Sequence, residues 1–555
     1  MNYNFDKVID RSNTYAVKYD ERVKNFGTDH VIPLWIADMD FETAKPVMDA
    51  VKKRAEHGIY GYVSKPDSYF QAFCNWQKRR NNWDVKNDLV SFSPGVVPSL
   101  SVVVKEFTGE SDKILIQTPV YPEFYEVIES WDRTVLESQL TENDGVYSID
   151  FDDFEEKLKQ GPKLFIFCNP QNPVGRVWTR DELVRITNLC LKYNVLIASD
   201  EIHADLMLWG NKHIPTATVS QEVNNITITC TSCSKTFNLA GLQASFAVFP
   251  DKSSKNKFDK FWRNLEIHRN NCFSLVALET AYNEGEDWLL QLIPYIEGNI
   301  SFVYDYCKKY IPKIKISKPE STYLLWLDCR DLGLSNEDLN SFMINEAKLG
   351  LNQGKNFCRS LSGFMRMNVA CPRSVLEKAM KQLKEAVDNL ELTKRIVILN
   401  AVPEDLDEIA NLEADCFPPA EAATKESFRQ RITRFPESFF VAKLDGKIIG
   451  VVNGCITNSD VLYDAMFHDD KEHVMDGKYQ TVFGLLVHPE YQRKGIAALL
   501  LRHLIEVSRK RGKKAVILTC KDRLIHYYEK FGFVNKGISG SSHGGAVWYD
   551  MYLEL

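Results

Sequence analysis

Between about residues 90 and 250, short apolar runs alternate with longer amphipathic stretches. Residues 114–117, 164–168, 195–199 and 226–231 read as strands, and residues 180–193 as a helix between two of them. That alternation predicts a parallel sheet covered on both faces, with ligands gathering beyond the carboxyl ends of its strands. Upstream, residues 44–57 read as a helix stopped by Gly58. Residues 67–80 form another, with Tyr69, Phe73 and Trp76 spaced for one face. A second α/β portion covers residues 289–389, with strands near 323–327 and 363–369 and a long helix from Ser374. The pattern then changes: a short polar connection at 391–395, a strand at 395–399 and a helix at 404–416. Residues 439–442 and 447–452 read as an antiparallel pair around Asp445-Gly446, and an apolar helix spans 498–510. The expected division is 1–391, itself a large domain (45–288) and a small one (1–44 with 289–391), followed by 392–555.

The 555 residues exceed what one core accommodates. No apolar run reaches bilayer-spanning length, and residues 1–19 lack a signal-peptide core, so a cytoplasmic protein without membrane partners is expected. Thirteen cysteines, scattered singly, suit free thiols in a reducing compartment. Cys230 and Cys233 have C-x-x-C spacing, but no second pair or nearby histidine completes a metal site. The net charge of -7 argues against a nucleic-acid partner.

The polar signatures fall at strand ends, and their chemistry centres on Lys235 in Thr-Ser-Cys-Ser-Lys-Thr-Phe-Asn. An unprotonated lysine forms a Schiff base with an aldehyde, and burial near other cations brings it to that state. Ser232 and Ser234 offer hydroxyls to a phosphate. Asp200 at a strand end suits the partner of a protonated pyridine nitrogen, or a helix cap. Tyr121 between two prolines could stack on a flat cofactor or stiffen a turn. Asn172 could donate to a phenolic oxygen or serve a turn. Gly95-Val96-Val97 before a helix can present N–H groups to a phosphate. Arg366, in the alternating run Phe364-Met365-Arg366-Met367-Asn368, suits a carboxylate clamp or a structural ion pair.

Together with residues 34–41, Tyr60-Gly61-Tyr62, 93–97, 118–122, 169–175, 199–203 and 364–373, these residues resemble the class I/II family of pyridoxal-phosphate aminotransferase-like enzymes. Within it they are most similar to the cystathionine β-lyase-like carbon–sulfur lyases of the MalY/PatB branch. The resemblance covers nearly all of residues 1–391. It implies that Lys235 bonds the cofactor's aldehyde, that Asp200 pairs with its pyridinium, and that Tyr121, Asn172 and His203 line its ring. It places Ser232, Ser234 and the backbone of Val96 and Val97 on the phosphate, with Ala37 and Arg366 on the substrate. Tyr60 would reach the phosphate of a neighbouring subunit, which implies a homodimer. Ordinary aminotransferases carry a phosphate-binding arginine where this chain has Gln243, as lyase-branch members do. The implied reaction is β-elimination from cystathionine, cysteine or related S-conjugates, giving thiol, pyruvate and ammonia. Transamination, or binding of a regulator protein, is the alternative.

A second cluster follows. Phe483 to Val487 read as a strand, and Gln492-Arg493-Lys494-Gly495-Ile496-Ala497 as a basic turn into a helix, a cradle for a pyrophosphate. This segment resembles the GCN5-related N-acetyltransferase family over residues 395–555. The likeness implies acetyl-coenzyme A held by Leu485, Val487, Gln492, Arg493, Lys494, Gly495 and Ala497. Residues 416–422 and 436–439 are similar to the arylalkylamine subgroup, whose tyrosine before Glu-Lys-Phe-Gly-Phe corresponds to Tyr528 and protonates the departing thiolate. That subgroup's histidine bases are replaced here by Thr481 and Phe483, which leaves the acceptor amine and its base open, with His488 and Glu490 nearby. A module that binds the coenzyme without turnover is the alternative.

Overall fold

Seven strands build the first sheet, in the order Val90–Ser93, Ser245–Val248, Thr227–Thr231, Leu196–Asp200, Leu164–Cys168, Lys113–Thr118 and Thr134–Gln139. The computed structural model describes residues 1–419, 422–468, 472–541 and 546–555, and the chain divides into two units, Met1–Lys384 and Glu385–Leu555. Side chains alternate across the first sheet. Ile116, Ile166, Ala198 and Ile228 pack on the face that carries helix Val96–Phe107. Leu115, Phe165, Phe167 and Ile197 pack on the other, against helix Arg180–Lys192. Strands buried on both faces read as continuous apolar runs, which is why they were visible in the sequence. Helix Arg180–Lys192 opens on a reciprocal capping box between Thr179 and Glu182, worth about 1 kcal/mol.

The sheet is parallel-rich as expected, with one reversed strand. Ser245–Val248 runs antiparallel to both neighbours. Only residues 232–244, with a single 3-10 turn at Ala240–Leu242, connect it to Thr227–Thr231. A parallel return needs a crossover that usually contains a helix.

A smaller antiparallel sheet follows, in the order Lys315–Ser317, Leu324–Asp328, Phe364–Asn368 and Asn352–Gln353. Helix Arg373–Lys394 then continues through most of the residues expected to form a short polar connection. No Gly or Pro interrupts it, and Lys394 pairs with Glu391 one turn earlier at 2.9 Å. The division between units therefore falls within this helix, ahead of residue 391.

In the second unit, Val397–Asn400, Phe439–Leu444, Lys447–Asn453 and Gly484–Val487 form an antiparallel sheet. Ile456–Thr457, Tyr479–Val482, Ala515–Cys520, Tyr549–Glu554 and Val534–Ile538 form another. Its one parallel pair is Tyr479–Val482 with Ala515–Cys520. The ribbon of Lys447–Asn453 and Gly484–Val487 passes from one sheet to the other at Gly454 and Phe483, so the two sheets part there. A Cβ on Gly454 would stand 1.9 Å from the Thr481 carbonyl oxygen. Helix Ile496–Lys510 buries Leu500, Leu501 and Leu504 against both sheets' core residues.

Candidate functional site

Register brings the first site together. Cys168 pairs with Asp200 and Asp200 with Cys230, so these central strands end level. The segments leaving them carry Asn172, His203 and Lys235, and the strand ending at Thr118 leads to Tyr121. Asp200 shares its face with Ala198, so it points to the side where Val96 opens a helix. A cavity of about 180 Å³ results, lined by Ala37, Val96, Val97, Tyr121, Asn172, Asp200, His203, Ser234 and Lys235. The first-turn N–H groups of Val96 and Val97 have no acceptor within the helix.

Burial sets the charges. Lys235 Nζ donates to the Ala37 carbonyl at 2.7 Å. Burial lowers the ammonium's pKa, as does Arg366, against the pull of Asp38. Burial pushes the Asp200 carboxyl up to about 7, despite the Ile202 N–H at 3.1 Å. His203 is driven down to about 3 by burial and by the cations Lys235 and Arg366, so its ring is neutral. Burial raises the Tyr121 phenol, which keeps its proton.

Arg366 stands behind Asn172. Its Nη1 donates to Asn172 Oδ1 at 3.1 Å, and its Nη2 donates to the Trp35 carbonyl at 3.0 Å and to Asn352 Oδ1 at 2.9 Å. Among the described residues no carboxylate lies within ion-pair distance of it, and its Nε is buried without an acceptor. Burial lowers its pKa to about 10. This guanidinium is fixed by neutral oxygens and keeps a full positive charge to offer an anion.

One residue expected at the cavity, Ser232, sits elsewhere. The Ser232 hydroxyl donates to the Ala244 carbonyl at 2.8 Å and accepts from Ser234 N–H at 3.0 Å, so it does not line the cavity. Tyr60 is exposed, its hydroxyl on the Ala55 carbonyl at 2.8 Å, away from its own chain's cavity. All thirteen cysteines are free thiols, including Cys230 and Cys233, and no metal-binding cluster occurs among the described residues. No described helix is long and apolar enough to cross a membrane.

The second unit holds a cavity of about 300 Å³ where its sheets part. Phe483, Leu485, Leu518 and Tyr528 line it, together with Cys416, Phe417, Pro418 and Ala422; Glu421 lies outside the described residues. Burial raises the Tyr528 phenol, leaving it a proton donor. Thr481 faces inward, its hydroxyl donating to the Cys455 carbonyl at 3.1 Å and accepting from Cys455 N–H at 2.8 Å, so it offers no base. His488 and Glu490 lie outside this cavity. The basic turn is separate: Gln492, Arg493 and Lys494 line an open groove. Gln492 Nε2 holds the Val487 carbonyl at 3.1 Å, and Arg493 and Gly495 have φ of +62° and +85° ahead of helix Ile496–Lys510, where Ala497 sits in the first turn. Strand Gly484–Val487 is the edge of its sheet and runs from the cavity at Leu485 to the turn at Val487.

Comparison with known proteins matches residues 29–383 to the family described as Aminotransferase class I and II. The chain belongs to this family. Residues 406–533 match the Acetyltransferase (GNAT) family. Cystathionine beta-lyase PatB of Bacillus subtilis (strain 168) is 41% identical over 385 residues, covering 69% of this chain and 100% of PatB. Cystalysin from Treponema denticola, whose crystal structure contains a pyridoxal 5'-phosphate cofactor, superposes with a TM-score of 0.68 at 34% identity. It covers 70% of this chain and 100% of cystalysin. The PLP-bound C-S lyase from Staphylococcus hominis gives 0.65 at 33% identity, over 70% and 98% of the two chains.

The aminotransferase-class unit fits the cofactor of these relatives on its own chemistry. Its cavity joins in one space N–H donors for an anion, a buried carboxylate for a cation, a half-buried phenol and a lysine whose pKa is lowered. His203 Nδ1 is buried without an acceptor or donor partner. Sequence reasoning missed Asn352 as a support of Arg366, because a lone Asn in a loop-like run carries no signal. It also missed Arg431 and Glu413 in the GNAT-type unit. Arg431 was detectable: in helix Lys425–Arg434 it shares the buried stripe with Phe428 and Ile432, where a charge is out of place.

Proposed function

We propose that the aminotransferase-class unit is a pyridoxal-phosphate-dependent carbon–sulfur β-lyase, acting on cystathionine, cysteine or related S-conjugates. The observation that carries this is the pKa-lowered Lys235 sharing a cavity with Asp200, beside an Arg366 without a carboxylate partner. The names of the relatives support the same chemistry. When bound, pyridoxal phosphate supplies an electron sink that acidifies the substrate's α-proton and lets the β-substituent depart. Asp200 would hold its pyridine nitrogen, Val96 and Val97 N–H groups its phosphate, and Lys235 its aldehyde carbon. Arg366 binds the substrate carboxylate through its fork, fixing the α-carbon relative to Lys235. Lys235, its neutral form favoured, takes the α-proton as general base. The thiolate leaves from the β-carbon, and addition of water to the remainder gives pyruvate and ammonia. Pyruvate and thiol release from L-cystathionine tests this; amino exchange with a keto acid in place of pyruvate release assigns transamination instead. Gln243, lining the cavity where transaminases carry an arginine, favours elimination.

Asp200 makes this reading testable without turnover. Its folded pKa of about 7 lies above its ordinary 3.8, so its contribution to stability is complete below about pH 4 and is lost as pH rises to about 7. Without cofactor this one group costs the protein up to about 4 kcal/mol at neutral pH. A bound pyridinium offsets that cost. The cofactor therefore raises the melting temperature more at pH 8 than at pH 5, and Asp200→Asn removes the difference. Equal shifts at both pH values in wild type exclude the Asp200–pyridinium pair.

Assembly as a cytoplasmic homodimer is part of the same proposal. Tyr60 is 58% exposed between Ile59 at 67% and Tyr62 at 96%, an apolar edge suited to a second copy. Light scattering at twice the chain mass is expected.

The GNAT-type unit is proposed to transfer an acetyl group from acetyl-coenzyme A to an amine. The edge strand from Leu485 to Val487 offers backbone partners along the path between the turn and Tyr528. The amine nitrogen bonds the acetyl carbon, the carbon–sulfur bond breaks, and sulfur leaves with the Tyr528 proton. The phenol regains a proton from the acceptor through solvent, with one proton released overall. Tyr528→Phe lowers kcat for coenzyme A release by about 100-fold with little change in acetyl-coenzyme A affinity. Unchanged kcat removes Tyr528 from the reaction.

A further inference from the structure

Arg431 is a buried cation in the wall of the second cavity. It is 7% exposed, in the middle of helix Lys425–Arg434. Its Nη1 donates to Asn453 Oδ1 at 3.0 Å and its Nη2 to the Phe467 carbonyl at 2.9 Å, both neutral acceptors. Among the described residues no carboxylate comes within ion-pair distance. The rings of Phe428 and Phe483 lie 5.6 and 5.0 Å from its guanidinium carbon. Burial lowers its pKa only to about 10, so it stays charged at neutral pH. Keeping a charge here is costly unless something pairs with it.

The cavity supplies the complement. Glu413, 6% exposed, lines it too, with Oε1 accepting from Ala423 N–H at 2.8 Å, and it is not bonded to Arg431. A guanidinium and a carboxyl, the latter's pKa raised by burial against the pull of the Ala423 N–H and of Arg431, thus border one space whose other walls are Phe417, Leu485 and Leu518. A simple arylalkylamine would satisfy Glu413 and leave the guanidinium facing a hydrocarbon.

We propose that the acetyl acceptor is an α-amino acid with an apolar side chain, its carboxylate held by Arg431 and its ammonium facing Glu413. This rests on the acetyltransferase reading of the unit, and it replaces the arylalkylamine class with a zwitterion. A site built to bond a substrate group rejects analogues lacking it strongly, because its own buried partner is then left unpaired.

The test uses the full-length protein and acceptor pairs that differ only in the carboxylate: L-phenylalanine with phenethylamine, and L-methionine with 3-(methylthio)propylamine. In acetyl-coenzyme A turnover the amino acid of each pair is expected to exceed its amine in kcat/KM by at least about 100-fold. Arg431→Lys, which keeps the charge and loses the fork, raises KM for the amino acid at least about tenfold more than for the amine. Amines accepted as well as amino acids overturn the proposal while leaving acetyl transfer standing. Should no acceptor turn over, the transfer reading fails, and equilibrium dialysis of N-acetyl-L-phenylalanine against N-acetylphenethylamine still decides. Tighter binding of the former by tenfold or more supports the Arg431 anchor, and equal binding overturns it. That readout on wild type also stands if the variant does not fold.

Discussion

Lys235→Ala lowers kcat for pyruvate release from L-cystathionine by at least about 10⁴-fold, the effect of removing a general base that also bonds the cofactor. The residue is half-buried in the cavity wall and its Nζ has no carboxylate in contact, only the Ala37 carbonyl, so nothing in the structure replaces it. Borohydride reduction of the wild-type protein followed by peptide mass spectrometry is expected to place the pyridoxyl group on Lys235. A variant retaining lyase turnover within tenfold of wild type would overturn the assignment. The change leaves an alanine lining the cavity, and melting curves confirm that the loss is chemical.

Arg366→Leu is the second large effect. It lowers kcat/KM for cystathionine by about 10² to 10³-fold, the cost of losing a buried two-bond grip on a carboxylate. The loss falls mainly on KM, since Arg366 holds the substrate in its ground state as well as in the transition state. Arg366→Lys keeps the charge, but its three donors sit on one nitrogen and cannot reproduce the planar fork whose two nitrogens bond Asn172, Trp35 and Asn352, so it recovers only part of the loss. A structural ion pair would give a different outcome: both substitutions would lower the melting temperature and leave KM unmoved.

The large sheet was legible because its strands are buried on both faces. Leu164–Cys168 has all five residues buried and forms the run seen in the sequence. The reversed strand Ser245–Val248 was not legible, since hydrophobic pattern carries no direction; the short helix-free connection did. The helix through 391–394 is not legible, because a short polar run has the composition of a connector even where Glu391, Leu392 and Lys394 favour a helix. At the first site, residues that combine a chemical role with a strand-end position, Lys235 and Asp200 above all, were visible. Ser232 shows the limit: its type fits a phosphate, while backbone geometry turns its hydroxyl to the Ala244 carbonyl. In the second unit the turn from Gln492 to Ala497 stood out by its spacing. The acceptor side did not, because Arg431 and Glu413 come from different helices and meet only around the cavity.

The approach of Gly454 to the Thr481 carbonyl bears on how freely the second pocket can be redesigned. Enlarging it for bulkier acceptors is open at Phe417 or Leu518, whose side chains form the walls. The crotch of the fork is closed to that strategy: the two backbones meet there with no space for a single added carbon, so variation in specificity has to be sought along the rim.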